Sequence, residues 1–223
     1  MKSELEKYKT AETDGIVLDH AAKVYDILTP LMMFGTHKLE FKRTVLDLEI
    51  KKGDKILDLG CGTGTLSKYV APFLDHNQGG EIVGVDASGK MIECADSKRI
   101  GDEAKFIVAA GEAMPFGNEY FDKATSLFFF HHVNLNLKRA AANELYRVLK
   151  PNAILIVTDI SAPTNVIGRI CLACGEWLFD QPEIGENKRG EHIRTLTDAG
   201  FEVVAEKTNW TGYVTRYKLL KRA

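Results

Sequence analysis

The chain has 223 residues, of which 45% are hydrophobic and 27% charged, enough for one domain with a sizeable core and too few for two ordinary domains and a linker. That composition excludes a disordered or collagen-like chain, and a net charge of −2 leaves no global positive field to draw nucleic acid or anionic lipid from a distance. The charged opening from Met1 to Lys9 lacks the apolar run of a signal peptide, so a cytoplasmic protein is expected, and Val166 to Phe179, interrupted by Arg169 and Glu176, falls short of the roughly 20 residues of a membrane span.

Along the first fifty residues apolar positions recur at helical spacing, at Ala21, Val24, Tyr25 and Leu28 and again at Leu39, Phe41, Val45 and Leu46. The spacing predicts helices lying over the C-terminal edge of a sheet. From about Asp54 onward short β-rich runs alternate with helical ones, the pattern of βαβ crossovers and a parallel sheet. The strand runs are Lys55 to Leu59, Glu81 to Asp86, Lys105 to Ala109, Lys123 to Phe130 and Ala153 to Asp159. Several are continuously apolar, as strands covered on both faces are. Helices are predicted at Thr65 to Phe73, at Lys90 to Ile100 with Ser88 as N-cap, and at Leu137 to Leu149, stopped by Pro151. An irregular or helical insertion from Pro163 to Lys188 precedes a helix ending at Ala199 with Gly200 at C′. Phe201 to Thr208 and Tyr213 to Leu219 then pair as a hairpin.

Four cysteines, Cys61, Cys94, Cys171 and Cys174, do not form a disulfide scaffold in a chain of this kind. Cys171 and Cys174 make a CxxC without a second ligand pair, which reads as two small apolar residues on one helical face; no metal is expected. Lys218, Lys221 and Arg222 near the C-terminus read as a solvated chain end.

The strongest chemical signal is Ile56-Leu57-Asp58-Leu59-Gly60-Cys61-Gly62-Thr63-Gly64, a buried strand entering a glycine-rich turn and then a helix. Glycines allow positive φ and close ligand approach, and the following helix offers free N–H groups. Twenty-two residues beyond Gly64, Asp86 ends the second strand, where a carboxylate can accept hydrogen bonds from both hydroxyls of a ribose. A dinucleotide fingerprint is GxGxxG, whereas here the third glycine comes one residue early, and no pyrophosphate seat is apparent.

The stretch Asp58 to Gly64 resembles the first motif of class I S-adenosylmethionine-dependent methyltransferases, and the resemblance extends over most of the chain. Gly111-Glu112-Ala113-Met114-Pro115-Phe116 is similar to the family's segment after the third strand, and Glu144 to Pro151 to its helix before the fifth. Tyr25-Asp26-Ile27-Leu28-Thr29-Pro30 through Lys38 resembles the opening of the ubiquinone/menaquinone biosynthesis C-methyltransferases, and Asn209-Trp210-Thr211-Gly212 their ending. Phe129-Phe130-His131-His132-Val133 is instead similar to the general small-molecule branch and lacks the Arg-Asn pair of the quinone enzymes. Ala110 stands where the family usually places an Asp near the adenine amino group, and Asn152-Ala153 replaces the usual Gly-Gly.

The resemblance implies an α/β, Rossmann-like, seven-stranded, mostly parallel sheet with helices on both faces and an antiparallel last strand. It implies one methyltransferase domain over 1–223, with 1–50 as a helical lid, 51–160 as the cofactor-binding half and 161–223 as a substrate-side insertion and hairpin. The cofactor implied is S-adenosyl-L-methionine, held by Asp58, Gly60, Cys61, Gly62, Gly64, Asp86 with Ala87, Met91 over the adenine, Gly111, Glu112 and Phe129, with Tyr25 reaching from the lid. His131 and His132, after the fourth strand, are the candidate catalytic residues: an imidazole can take a phenolic proton near neutral pH and so raise the nucleophilicity of a ring; helix capping or packing is the alternative. Phe128, Phe129, Phe130, Trp177 and Phe179 suit a small apolar or aromatic acceptor, a quinol among them. Competing readings are a phospholipid or small-metabolite N- or O-methyltransferase, and a cofactor-binding protein without transferase activity.

Overall fold

The apolar runs become the strands of a single sheet. The computed structural model describes residues 7–17, 19, 35, 37–179 and 182–222, with 174–179 and 182 described by their backbone alone. The strands are β1 (Lys55–Leu59), β2 (Glu81–Asp86), β3 (Ala104–Val108), β4 (Phe121–Leu127), β5 (Leu149–Ile160), β6 (Phe201–Thr208) and β7 (Val214–Lys221). They lie in the order β3-β2-β1-β4-β5-β7-β6, with β7 antiparallel to both of its neighbours and the other pairs parallel. Strand order reverses between β1 and β4, and the crevice beyond the C-terminal ends of strands at such a switch point is where ligands bind in open α/β sheets.

Seven helices punctuate the strands among the described residues: α1 (His37–Leu48), α2 (Ser67–Val70), α3 (Gly89–Ser97), α4 (Leu135–Val148), α5 (Val166–Phe179), α6 (Pro182–Lys188) and α7 (Glu191–Asp198). Their ends follow local chemistry. Ser88 accepts from Met91 N at 3.1 Å and starts α3 as expected, whereas α4 begins two residues early because Asn134 Oδ1 caps it by accepting from Leu137 N. The run from Thr65 to Phe73 gives only the short α2 followed by a 3₁₀ turn over Ala71–Phe73, since Pro72 has no N–H to continue an α-helical ladder. Asn152 takes φ +64, a left-handed conformation that Asn tolerates, in the irregular stretch where the β4–β5 register shifts.

Alternation along β1 and β2 sorts side chains to opposite faces. Leu57, Leu59, Val83 and Val85 meet Leu145, Val148 and Leu196 from α4 and α7. Ile56 and Ile82 meet Val45 and Leu48 from α1, Val70 from α2 and Leu66 just before it, and α3 adds Ile92 and Ala95 against Phe106 and Cys61.

The N-terminal region departs from expectation. The helical reading of Leu39 to Leu46 is correct, but α1 packs on a face of the sheet, not over its edge, and Leu46 is 75% exposed. The edge is crossed instead by residues 8–17, which form no regular helix. Ala21, Val24, Tyr25 and Leu28, and the Tyr25 to Phe34 stretch that resembles the quinone enzymes, lie outside the described residues, as do the side chains of Cys174, Trp177 and Phe179. Among the described residues no helix is long and apolar enough to cross a membrane.

The C-terminal cations are integrated into the fold: Lys221 Nζ donates to the carbonyls of Tyr146 and Leu149, Arg222 pairs with Glu202, and Lys218 with Glu49. A buried ion pair fastens α1 to the sheet. Arg216 on β7 reaches Glu40 at 2.6 Å and Asp47 at 2.7 Å, and both Glu40 and Arg216 are buried. Truncating one partner of a buried pair strands the other charge. Glu40→Ala should therefore lower the unfolding free energy measured in urea by about 3 kcal/mol, whereas Arg43→Ala, which removes Glu40's exposed neighbour, should cost under about 1 kcal/mol.

Candidate functional site

At the end of β1 the chain turns through Gly60, Gly62 and Gly64 at φ +72, +52 and +69, a succession that L side chains resist. The turn folds back on β2: Gly60 N and Cys61 N both donate to Val85 O at 2.8 and 3.1 Å, and Gly62 N donates to Asp86 Oδ2 at 2.9 Å. Asp86 Oδ1 accepts from Ser88 N at 2.9 Å. The carboxylate is thereby pinned while keeping roughly half of its about four acceptor positions. A diol is the partner such a group can bind.

These residues open onto a cleft whose empty space, part of it open solvent, is about 680 Å³. One half is formed by Gly60, Gly62, Asp86, Ala87, Met91, Gly111 and Glu112. The other is mostly apolar, with Ile16, Val17, Phe128, Phe129 and Val133 beside His132. Phe128 has φ +58, costly for a bulky aromatic residue, at about 1–3 kcal/mol, and typical of functional sites. That turn ends β4 at Leu127, three residues before the predicted Phe130, and leads into a 3₁₀ turn over Phe130–His132.

Residues 8–17 form a strap along the mouth. Ala11 N donates to Ala87 O at 2.9 Å, Thr13 Oγ1 to Glu112 Oε1 at 2.6 Å, and Ile16 N to His132 O at 3.2 Å. A Cβ at Gly89 would lie 1.7 Å from Tyr8 O, so glycine there is what lets the strap approach.

The expected site residues thus divide. Gly60, Gly62, Asp86, Ala87, Met91, Gly111, Glu112, Phe129 and His132 line the cleft. Asp58, Cys61 and Gly64 do not: Asp58 is buried within β1, Cys61 packs against Gly84, whose Cβ would lie 2.8 Å from its sulfur, and Gly64 against Phe106. Their part is to shape the turn. Ala110 is buried and brings no polar group. Tyr25 lies outside the described residues. His131, though adjacent to His132, is not a lining residue; its Nδ1 lies 2.7 Å from Asp159 Oδ1, which is wholly buried. Phe128, expected to suit the acceptor, lines the cleft; Thr13, Gly15, Ile16 and Val17 also line it and carry no motif by which sequence could have found them.

Electrostatics selects the ligand's charge. Among the described residues the charged side chains lining the cleft are Asp86 and Glu112, both acidic. Burial, against the pull of the Ser88 and Gly62 amides, raises the carboxyl of Asp86. Burial, with the neighbouring Asp86 charge, pushes Asp58 up to about 7, and Asp58 Oδ2 has no hydrogen-bond partner. Such a site repels a pyrophosphate and attracts a cation. Burial and the adjacent His131 push His132 down to about 3, against the attraction of Asp159. His132 is therefore a poor proton acceptor, contrary to the expectation that it serves as a base.

Comparisons with known proteins give the family. Residues 57–157 match the profile of a methyltransferase domain. The ubiquinone/menaquinone biosynthesis C-methyltransferase UbiE of Pectobacterium carotovorum is 31% identical over 175 residues, 76% of this chain and 67% of that protein. The enzyme of the same name from Francisella philomiragia is 33% identical over 159 residues, 70% of this chain and 62% of that protein. The chain belongs to the class I S-adenosylmethionine-dependent methyltransferases, near the UbiE-like group. The match spans about two thirds of those relatives' length. A methyltransferase structure from Aquifex aeolicus shares the fold, with TM-score 0.69 at 19% identity over 92% of this chain and 100% of that one. The methyltransferase's cofactor is S-adenosylmethionine, whose sulfonium and ammonium suit an acidic cleft.

A carboxyl raised on folding costs stability as pH rises. Between about pH 4 and 7 the unfolded chain releases the Asp58 proton and the folded chain keeps it, so folding loses free energy across that window. Asp58→Asn should gain on wild type as pH rises through it, by on the order of a few kcal/mol; thermal unfolding from pH 4 to 8 would show a constant gap if Asp58 has an ordinary pKa.

Proposed function

We propose that this methyltransferase carries a methyl group from S-adenosylmethionine to a ring carbon of a small, apolar, hydroxylated aromatic acceptor of the quinol type, and works in the cytoplasm. The observation carrying the acceptor class is the second half of the cleft, where Ile16, Val17, Phe128, Phe129 and Val133 form an apolar wall. The names of the UbiE relatives point the same way.

The residues fit the cofactor. Asp86, fixed by two amides, would take the ribose hydroxyls; Ala87 and Met91 would flank the adenine; Gly111 and Glu112 would face its edge. Gly60 and Gly62 leave backbone exposed to the amino-acid tail, and the acidic surroundings favour its cationic centres. When bound, the cofactor supplies an electrophilic methyl on a positively charged sulfur. The chain's contribution is alignment: the strap and the phenylalanines exclude water and hold the acceptor carbon in line with that methyl. His132, neutral at physiological pH, can orient a hydroxyl by hydrogen bonding.

S-adenosylhomocysteine at a hundredfold excess over its Kd should stabilise the protein by about 2.7 kcal/mol, roughly 5–10 °C in Tm for a chain this size. Asp86→Ala should lose most of that shift, and NADH should give none. Isotope-labelled cofactor assayed with soluble quinol analogues, phosphatidylethanolamine and small amines tests the acceptor. Label on a quinol ring carbon is the expected product; label on the amines or the phospholipid alone would replace the quinol reading with N-methylation.

A further inference from the structure

The strap crosses the mouth of the cleft as an extended chain. Ala11, Thr13, Gly15 and Val17 are half-buried while Glu12, Asp14 and Ile16 between them are exposed, the alternation of a chain without helical turns. Its ends are anchored: Tyr8 Oη donates to Asp96 Oδ2 of α3 at 2.8 Å, Gly89 N donates to Thr10 Oγ1 at 3.2 Å, and Ile16 N reaches His132 O. Between these anchors Thr13 spans the cofactor half. Its Oγ1 accepts from Gly15 N at 3.2 Å and donates to Glu112 Oε1 at 2.6 Å, and both Thr13 and Glu112 line the cleft. Among the described residues Glu112 Oε2 has no hydrogen-bond partner. The strap also sets a width. Ala11 is held at Ala87 O and Thr13 at Glu112 Oε1, and two residues of extended chain reach about 7 Å, so the Glu112 carboxylate stands across from Ala87 at a separation of the order of a flat ring system.

From this arrangement we propose that Glu112 is the specificity-determining residue for the cofactor's base, its Oε2 accepting from the exocyclic amino group of the adenine, and that Thr13 is the residue that positions it. The inference rests on the reading that Asp86 takes the ribose and that Ala87 and Met91 flank the base. With the diol on Asp86 and the amino-acid tail at Gly60 and Gly62, the base lies toward Ala87, Met91, Gly111 and Glu112, all of which line the cleft. An aminopurine there presents a donor that needs an acceptor. Ala110 is buried and apolar, the remaining acceptor positions of Asp86 serve the diol, and Glu112 is the other charged side chain lining the cleft among the described residues. An ionised carboxylate only accepts, so it takes an amino group and repels a keto oxygen at the same place. By holding Oε1, the Thr13 hydroxyl removes rotamer freedom that would let Glu112 swing away to solvent, and it leaves Oε2 to the ligand. The strap that contributes Ile16 and Val17 to the acceptor wall is thereby tied to the residue that reads the base.

The test is calorimetry on the full chain with two ligands, S-adenosylhomocysteine and its 6-oxo analogue S-inosylhomocysteine. Wild type should bind the amino ligand about 10- to 100-fold more tightly, the worth of one hydrogen bond to a charged group. Glu112→Gln should bind the 6-oxo ligand more tightly than wild type does, because the carboxamide can turn its NH₂ to the keto oxygen, and the preference should fall to within about threefold. Thr13→Val should narrow the preference by roughly fivefold, and Thr13→Ser should restore it. Residues that only shape the strap would weaken both ligands alike, and no loss of packing makes the 6-oxo ligand bind better. An unselective wild type, or the wild-type ratio persisting in Glu112→Gln, would overturn the proposal while leaving the ribose contact standing; the wild-type ratio persisting in Thr13→Val would remove the strap from the recognition of the base. Wild-type affinity for S-adenosylhomocysteine in Asp86→Ala would bring down the cofactor placement and this inference together.

Discussion

The pairing of the Asp86 carboxylate with the Gly62 and Ser88 amides is the constraint from which the rest of the cleft follows. It joins the turn after β1 to the end of β2 through a single side chain, and both partners are backbone groups, so the geometry does not depend on a flexible rotamer. The turn can reach Asp86 only because Gly60, Gly62 and Gly64 take positive φ; a β-carbon at Gly60 would lie 2.9 Å from Phe129. The neighbouring strand positions fall into line from there. Gly84 gives room to the Cys61 sulfur, Ser88 caps α3, and its hydroxyl also donates to Asp19 at 2.5 Å.

Holding carboxylates in a half-buried cleft works against stability, and the fold accepts that cost for the sake of the ligand. Asp58, buried in β1 behind the cleft with an unpartnered oxygen and pushed up to about 7 by burial and the neighbouring Asp86, adds a cost of the same kind. A buried acid with no counter-charge is unfavourable in the free protein. Among the described residues no lysine or arginine lines the cleft beside Asp86 and Glu112. Cations in this protein are committed to structure: Arg216 to Glu40 and Asp47, Lys123 to Asp54 at 2.6 Å, Lys138 to Glu186. A nearly neutral chain therefore has a distinctly acidic active edge.

Much of this was legible from residue pattern. β1, β2 and β6 have the bounds their sequences predicted; for β1 and β2 a mostly apolar run between turn residues leaves few alternatives once helices cover both faces, while β6 is an edge strand started by the turn at Gly200. Asp86 and the glycine turn were legible for a related reason, being fixed by strand ends. What escaped was geometry without periodicity. The strap from Tyr8 to Val17 binds through backbone groups at Ala11 and Ile16 and through scattered side chains such as Thr13, which no periodic pattern reveals. The two adjacent histidines could not be told apart either: in a strand they would face opposite sides, but in a 3₁₀ turn their directions depend on where Asp159, 28 residues later, places its oxygens. Asp159, Asn187 and Lys138 each read as an ordinary strand end, loop amide or surface lysine until the sheet brought them together.

That turn also shows why the strain at Phe128 is tolerable. A strand that ran on straight would send Phe128, Phe129 and Phe130 alternately to the two faces and leave the histidines beyond the sheet edge. With φ +58 at Phe128 the chain instead folds back. Phe130 becomes fully buried, Phe128 and Phe129 both line the cleft, and the histidines follow in a 3₁₀ turn. The left-handed residue is over-determined by its surroundings: Phe128 N donates to Thr158 O at 2.9 Å and Phe130 N to Asp159 at 2.8 Å, so β5 grips the turn on both sides of Phe129. Two hydrogen bonds of this kind, worth about 0.5–3 kcal/mol each depending on charge, are of the size needed to hold one strained residue. The Asp159 carboxylate, which also meets His131 Nδ1, is thus the same group that keeps the wall of the cleft in its bent form.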